Sequence, residues 1–237
     1  MSRRLNKVNS GVRVKICGIT CAEDAFDAVH AGADIIGFVL VKGTPRYIEP
    51  GTVKKITVEL RKRFRGAELP GISVLFSDPG GDPAEVASIT AGCGADHVQL
   101  HGAESPEYCT RVKGIIMERT ERRIRLIKTF KVKADIMNNS SYGMSDYRTA
   151  DHFLFDTYVS GVEGGTGEKF NWKVIKERKS IIEKPFFIAG GLDPGNVRDA
   201  VRETGAFGVD VSSGVESAPG RKDKILVKEF VENAKKA

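Results

Sequence analysis

The stretch Val12-Arg13-Val14-Lys15-Ile16-Cys17-Gly18-Ile19-Thr20 is a short β-branched run that ends on a cysteine and then a glycine. β-Branched residues favour a pleated strand, and the glycine marks the strand's end. Seven further runs of this kind follow: Asp34–Leu40, Ile72–Phe76, His97–Leu100, Ile124–Phe130, His152–Phe155, Phe186–Ala189 and Phe207–Val211. Between them lie longer stretches with helical spacing. The first, Cys21–Ala31, places Ala25, Phe26, Ala28 and Val29 on one face. Others run from about Gly51 to Phe64, Pro83 to Ala91, Ser105 past Val112, Asn171 to Ile182, Pro194 to Glu203 and Lys222 to Lys235. Residues 131–150 are polar and predict only a short or irregular helix.

Eight strands alternating with helices are the count of a single-domain (β/α)8 TIM barrel. The runs are mostly apolar and uninterrupted, as a parallel sheet covered on both faces requires. A doubly wound sheet is the alternative fold, but it needs fewer strands and a reversal point. Three tetrads, Ala31-Gly32-Ala33-Asp34, Cys93-Gly94-Ala95-Asp96 and Thr204-Gly205-Ala206-Phe207, each close a helix and open a strand. Their glycine suits the left-handed position after a helix. No linker or shift in composition divides the chain. Residues 1–10 read as a basic, solvated N-terminal tail and 11–237 as one catalytic domain.

The chain has 237 residues and a net charge of +6. Its basic residues are spread over helix exteriors, as at Lys54, Lys55, Arg61, Lys62 and Arg63, which argues against nucleic-acid binding. A mild positive field suits a small anionic substrate instead. There is no run of 18 or more apolar residues, and the first ten residues lack the apolar segment of a signal peptide, so we expect no membrane partner and a cytoplasmic protein. The cysteines, Cys17, Cys21, Cys93 and Cys109, show neither C-x-x-C spacing nor paired histidines. That argues against zinc and for reduced thiols, three of them simple apolar filler. No metal or cofactor is expected.

In such a barrel the residues just after each strand converge on one face. They are Cys17 after the first strand, Arg46 in the loop after the second, Gln99 and His101 at the fourth, Asp156 after the sixth, Gly190 and Gly191 after the seventh, and Asp210, Ser212 and Ser213 at the eighth. The loops after strands seven and eight are the usual phosphate site of this architecture, because glycine lets backbone N–H groups approach the oxygens. Gly190-Gly191 also reads as a tight turn, with Asp193 capping a helix begun by Pro194. Cys17 and Asp156 are the candidate acid and base. Each has a plain structural alternative, Cys17 as a buried apolar residue and Asp156 as a loop cap. Arg46 could be a surface cation, His101 a satisfied hydrogen-bonder, and Gly161–Gly167 either a lid or a turn.

The stretches VKICGIT (14–20), GADIIGFV (32–39), PRYI (45–48), VQLHG (98–102), LFDT (154–157), GGTGEKFNW (164–172), AGGLDPGNV (189–197) and VDVSSGVES-A-PGRKD (209–223) occur in this order. In them the chain resembles the phosphoribosylanthranilate isomerase family of tryptophan biosynthesis. The resemblance implies an Amadori rearrangement of N-(5-phosphoribosyl)anthranilate. It makes Cys17 the general base and Asp156 the general acid. Arg46 would engage the anthranilate carboxylate, and Gly190, Gly191, Ser212 and Ser213 the phosphate. Asp210 would sit near the anthranilate amine, with Gln99 and His101 lining the pocket. The implied partner is a small phosphorylated molecule, and the implied assembly a monomer or homodimer. The sister isomerase of histidine biosynthesis, the nearest rival, has an aspartate where Cys17 stands. Residues 114–123 and 131–150 depart from the family pattern and carry no implied catalytic residue.

Overall fold

The structure is a computed structural model that describes residues 11–77, 80–120, 122–132, 142–156 and 172–237. Eight parallel strands close into a barrel: β1 (Arg13–Ile16), β2 (Ile35–Val39), β3 (Gly71–Phe76), β4 (His97–Leu100), β5 (Arg125–Lys131), β6 (His152–Asp156), β7 (Phe186–Ala189) and β8 (Gly208–Val211). Each pairs with the next, and β8 returns to β1 through Arg13↔Gly208, Val14↔Val209, Lys15↔Asp210 and Ile16↔Val211. The closed circuit rules out the doubly wound alternative. Helices α1 (Ala22–His30), α2 (Pro50–Arg63), α3 (Pro83–Gly92), α4 (Pro106–Arg119), α5 (Lys173–Arg178), α6 (Val197–Thr204) and α7 (Lys224–Lys235) cover the outside. None of the described helices is long and apolar enough to cross a membrane.

Strand alternation divides the core into two. Outward residues such as Val14, Ile16, Leu126, Phe130, Val209 and Val211 pack with the helices in one large apolar cluster. A smaller cluster of Ile35, Ile127, Leu154, Phe187 and Ala189 fills the barrel interior. The interior also buries polar side chains, among them Lys15, Ser73, Gln99, Thr129 and Asp210.

Local chemistry explains the boundaries. Asp82, Ser105 and Asp223 cap α3, α4 and α7 by accepting backbone N–H bonds, and Pro83 and Pro106 open the first two of these helices. The repeated tetrads behave as read, with Gly32, Gly94 and Gly205 at φ of 95°, 70° and 58°. Their aspartates have a second task. Asp34 and Asp96 accept from the first-strand and third-strand amides of Val14 and Ile72, both at 2.9 Å. Asp151 does the same for Leu126 at 2.8 Å, so carboxylates tie the bottom of the barrel between neighbouring strands.

Two features differ from the reading of the sequence, and a short turn within 131–150 agrees with it. The sixth helix begins at Val197, not Pro194. Asp193 does accept from Gly195 and Asn196, at 2.7 and 3.0 Å, but it closes a turn that precedes the helix. Within 131–150 the described residues hold a single 3-10 turn, Met144–Asp146. Glu216–Ala218 and Arg221–Lys222 form an antiparallel hairpin, β9–β10, between β8 and α7. The 1–10 tail and the 161–167 loop lie outside the described residues.

The loops after β7 and β8 pack without spare room. A Cβ at Gly214 would stand 1.9 Å from the Leu192 carbonyl oxygen. Gly214→Ala should therefore destabilise the protein by about 1–3 kcal/mol, the usual cost of overpacking, as measured by urea denaturation.

Candidate active site

The inward face of β1 carries Lys15 and then Cys17. Lys15 is wholly buried, and its cross-strand partner in register is Asp210 of β8. The ammonium lies 3.0 Å from each carboxylate oxygen. Gly37, on the inward face of β2, leaves the space that the thiol and the ammonium share. A Cβ there would lie 3.0 Å from Cys17 Sγ and 3.1 Å from Lys15 Nζ. Burial alone would lower the Lys15 pKa, but Asp210 and Cys17 outweigh it and hold the amine protonated. Burial pushes the Cys17 thiol up, and the Lys15 charge opposes that shift.

On the other side of Cys17 the β2–α2 loop brings in Arg46. Its guanidinium meets Glu216 edge-on, Nε to Oε1 at 2.9 Å and Nη2 to Oε2 at 2.7 Å. Lys222 of β10 donates to the same carboxylate at 2.7 Å and to the Ser212 carbonyl oxygen at 3.1 Å. Burial favours neutral Glu216, yet the two cations hold its carboxyl below the usual range. Ideal Cβ geometry at Gly18 would touch both Arg46 Cδ at 2.6 Å and Ser212 Oγ at 2.7 Å, so Arg46 and the β8 loop converge beside Cys17. The cluster around the thiol thus contains three cations, Lys15, Arg46 and Lys222, and two carboxylates, Asp210 and Glu216. One positive charge is left over, and a thiolate on Cys17 would balance it.

Across the barrel mouth, Asp156 ends β6 and His101 follows β4. His101 Nε2 lies 3.0 Å from Asp156 Oδ2. Its Nδ1 lies 3.1 Å from Gln99 Nε2, which also donates to Thr129 Oγ1 at 3.3 Å. With the Gln99 amide so oriented, Nδ1 accepts, which leaves Nε2 as the donor that faces the carboxylate. Gly190 and Gly191, both at positive φ, form the loop after β7, and Asn196 donates to the Gly191 carbonyl at 2.8 Å. Ser213 opens a 3-10 turn after β8.

Cys17, Arg46, Asp210 and Ser212 therefore form one group, and Gln99, His101 and Asp156 another. Gly190, Gly191 and Ser213 sit in the loops at the same end of the barrel. Reading the sequence missed Lys15, Glu216 and Lys222 as members. A lysine at an inward position of a buried strand is a detectable signal, whereas the hairpin residues offered none. A cavity of about 620 Å³ lies at the opposite end, lined by Arg13, Asp34, Arg63, Phe64 and Lys235 among others, and holds none of these residues. Strand tips, not cavity size, locate the chemistry. Cys93 and Cys109 stay outside the site, their thiols pushed up by burial to about 11 and about 12. Cys21 is half-buried at the start of α1. Among the described residues no three His, Cys, Asp or Glu side chains are grouped to hold a metal ion.

The family profile of N-(5'-phosphoribosyl)anthranilate isomerase matches residues 14–233. The chain belongs to this family. An N-(5'-phosphoribosyl)anthranilate isomerase from Geobacter sulfurreducens is 44% identical over 224 residues, covering 94% of this chain and 98% of that one. The dimeric phosphoribosylanthranilate isomerase of Thermotoga maritima, solved as generated monomers, superimposes with a TM-score of 0.75 at 33% identity, over 95% of this chain and 100% of that one. A phosphoribosylanthranilate isomerase solved with reduced 1-(o-carboxyphenylamino)-1-deoxyribulose 5-phosphate gives a TM-score of 0.73 at 33% identity, with the same coverage.

Lys15→Met should raise the Cys17 titration further, seen as thiolate ultraviolet absorbance against pH. The same change leaves Asp210 buried without its partner, at a cost of about 3–5 kcal/mol in denaturation. Adding Asp210→Asn should recover much of that stability while the thiol stays shifted.

Proposed function

We propose that this barrel isomerises N-(5'-phosphoribosyl)anthranilate to 1-(2-carboxyphenylamino)-1-deoxyribulose 5-phosphate, with Asp156 as general acid and Cys17 as general base. Membership of the isomerase family supports the reaction. The observation that carries the roles is the placing of an acid and a thiol on separate strand tips, the thiol backed by the Lys15–Asp210 pair.

Asp156 gives a proton to the furanose ring oxygen as the C1′–O bond breaks and the anthranilate nitrogen forms a Schiff base. The cationic nitrogen makes the C2′ hydrogen acidic. Cys17, as thiolate, removes it and leaves an enolamine. Tautomerisation puts a proton on C1′ and takes one from the 2′ hydroxyl, which restores both enzyme groups. The rearrangement is redox-neutral, and its demands are two well-placed proton transfers.

Arg46 is suited to the anthranilate carboxylate for a geometric reason. Glu216 occupies the Nε–Nη2 edge of its fork, and among the described residues Nη1 makes no side-chain hydrogen bond. Planar pairing with a second carboxylate can use that side. Asp210, already bonded to Lys15, is the carboxylate nearest the thiol and would face the developing positive charge on nitrogen. Gly190, Gly191, Ser212 and Ser213 supply the phosphate loops, with α6 opening just beyond. Gln99 and His101 line the acid's side of the pocket. The dimeric Thermotoga maritima relative supports a homodimer over a monomer for this chain.

Cys17→Ser and Asp156→Asn should each lower kcat by about 10²–10⁴-fold in a fluorescence assay of substrate consumption, while binding of the reduced product analogue stays within a few-fold. Wild-type turnover in both variants would refute the acid–base assignment. Glu216→Gln should act differently, raising KM several-fold with a smaller effect on kcat, because it loosens a binding group and leaves the proton-transfer residues in place.

A further inference from the structure

Behind the acid lies a second buried ion pair that the reaction does not call upon. Lys128 of β5 and Glu104 of the β4–α4 loop are almost completely shielded from water, with side-chain exposures of 2% and 3%. Lys128 flanks Leu126 and Phe130 on the outward face of β5, in the apolar layer between barrel and helices. A buried ion pair contributes little to stability compared with apolar residues of the same volume. Its geometry is directed at the backbone of one residue. Lys128 Nζ donates to Glu104 Oε2 and to the Gly102 carbonyl oxygen, both at 2.6 Å. Glu104 accepts the Gly102 N–H with both oxygens at 3.0 Å. Both polar groups of Gly102, the residue after His101, are therefore held by a charge. Tyr147 secures the assembly, donating to the Glu104 carbonyl at 2.9 Å while its ring lies 5.6 Å from the ammonium.

The next residue of β5, Thr129, points the opposite way, into the barrel, and holds Gln99, which in turn meets His101 Nδ1. Two consecutive β5 residues thus hold His101's neighbours from opposite faces of the sheet, Lys128 the Gly102 carbonyl and Thr129 the Gln99 amide. Among the described residues, His101 Nε2 meets Asp156 Oδ2 at 3.0 Å.

We propose that the Lys128–Glu104 pair is a positioning device that fixes the His101 ring against Asp156 and so aligns the acid for its proton transfer. The proposal rests on the acid role assigned to Asp156. Lys128 and Glu104 touch no reacting atom, and they act through the backbone N–H and carbonyl of Gly102.

The deciding variant is the double change Lys128→Met/Glu104→Gln, which removes both charges together and spares the protein a lone buried ion. Two readouts are taken on the full chain. The ring ¹⁵N shifts of His101, assigned with His101→Gln, should move from a single Nε2–H tautomer towards a mixture. The kcat should fall about tenfold with KM within twofold, and the loss should vanish in a His101→Gln background, since both changes cut the same link. Restoring the charge pair as Lys128→Arg/Glu104 should recover part of kcat. Unchanged ring shifts, an unchanged kcat, or a loss that adds fully to that of His101→Gln would overturn the clamp. A wild-type rate in Asp156→Asn would instead defeat the acid assignment, and the ring shifts would still decide whether the clamp exists. If the double variant fails to fold, Tyr147→Phe provides the same test through the Glu104 carbonyl, with the same two readouts and the same opposing outcomes.

Discussion

The register at the β1–β8 seam is the constraint on which the site depends. Closing a parallel barrel requires its last strand to meet its first with the side-chain alternation of both in phase. Here the in-phase solution sets Lys15 opposite Asp210, and their charges meet at 3.0 Å in the interior. A slip of β1 by one residue would turn Lys15 into the apolar layer, leave Asp210 without its partner inside, and bring Val14 and Ile16 inward. The desolvation cost of either buried charge makes that register prohibitive. The same alternation that saves the ion pair puts Cys17, two residues after Lys15, on the inward side of the strand tip. Closure and chemistry are thus settled by one pairing.

The electrostatics follow from that placement. A buried thiol prefers to stay neutral, and a thiolate forms only if nearby cations compensate for lost water. Lys15 is the nearest, but Asp210 offsets its charge. The remaining positive charge comes from the hairpin side, where Glu216 shares itself between Arg46 and Lys222. Glu216 therefore does two things at once. It prevents Arg46 and Lys222 from repelling each other, and it leaves one unit of charge for a thiolate or a substrate anion to neutralise. The β9–β10 hairpin looks like an ornament on the barrel, yet it contributes both Glu216 and Lys222.

Much of this was legible in the sequence, and the omissions share a cause. The eight strands were visible because each is short, apolar and bounded by turn residues, and the tetrads around Gly32, Gly94 and Gly205 exposed the repeating unit. Candidate residues at the strand tips followed from architecture alone, Cys17 and Asp156 among them. The substrate came from family resemblance. Lys15 escaped notice because its partner lies 195 residues away, and only closure brings them together. Lys128 was hidden in the same way, as one of two charged letters, with Arg125, in the run Ile124–Phe130. The hairpin strands of three and two residues are too short to show a period. Proline at 194 suggested a helix start, but Asp193 bonds locally to Gly195 and Asn196 and delays the helix to Val197.

Lysines inside apolar strands therefore have a meaning in this fold that periodicity alone does not convey. β1 and β5 each carry one, and each reaches a carboxylate from another part of the chain. Lys15 points inward and backs Cys17, the proposed base, whereas Lys128 points outward and stands behind the loop that carries His101 to Asp156, the proposed acid. The direction of each is set by parity along the strand, so the two supports lie on opposite faces of the same sheet. The two proposed catalytic groups, Cys17 and Asp156, thereby lie beside separate buried ion pairs that share no residue. Such independence lets each side of a two-proton rearrangement be held rigidly without strain passing between them, and rigid placement of both groups is what a substrate bridging the barrel mouth requires.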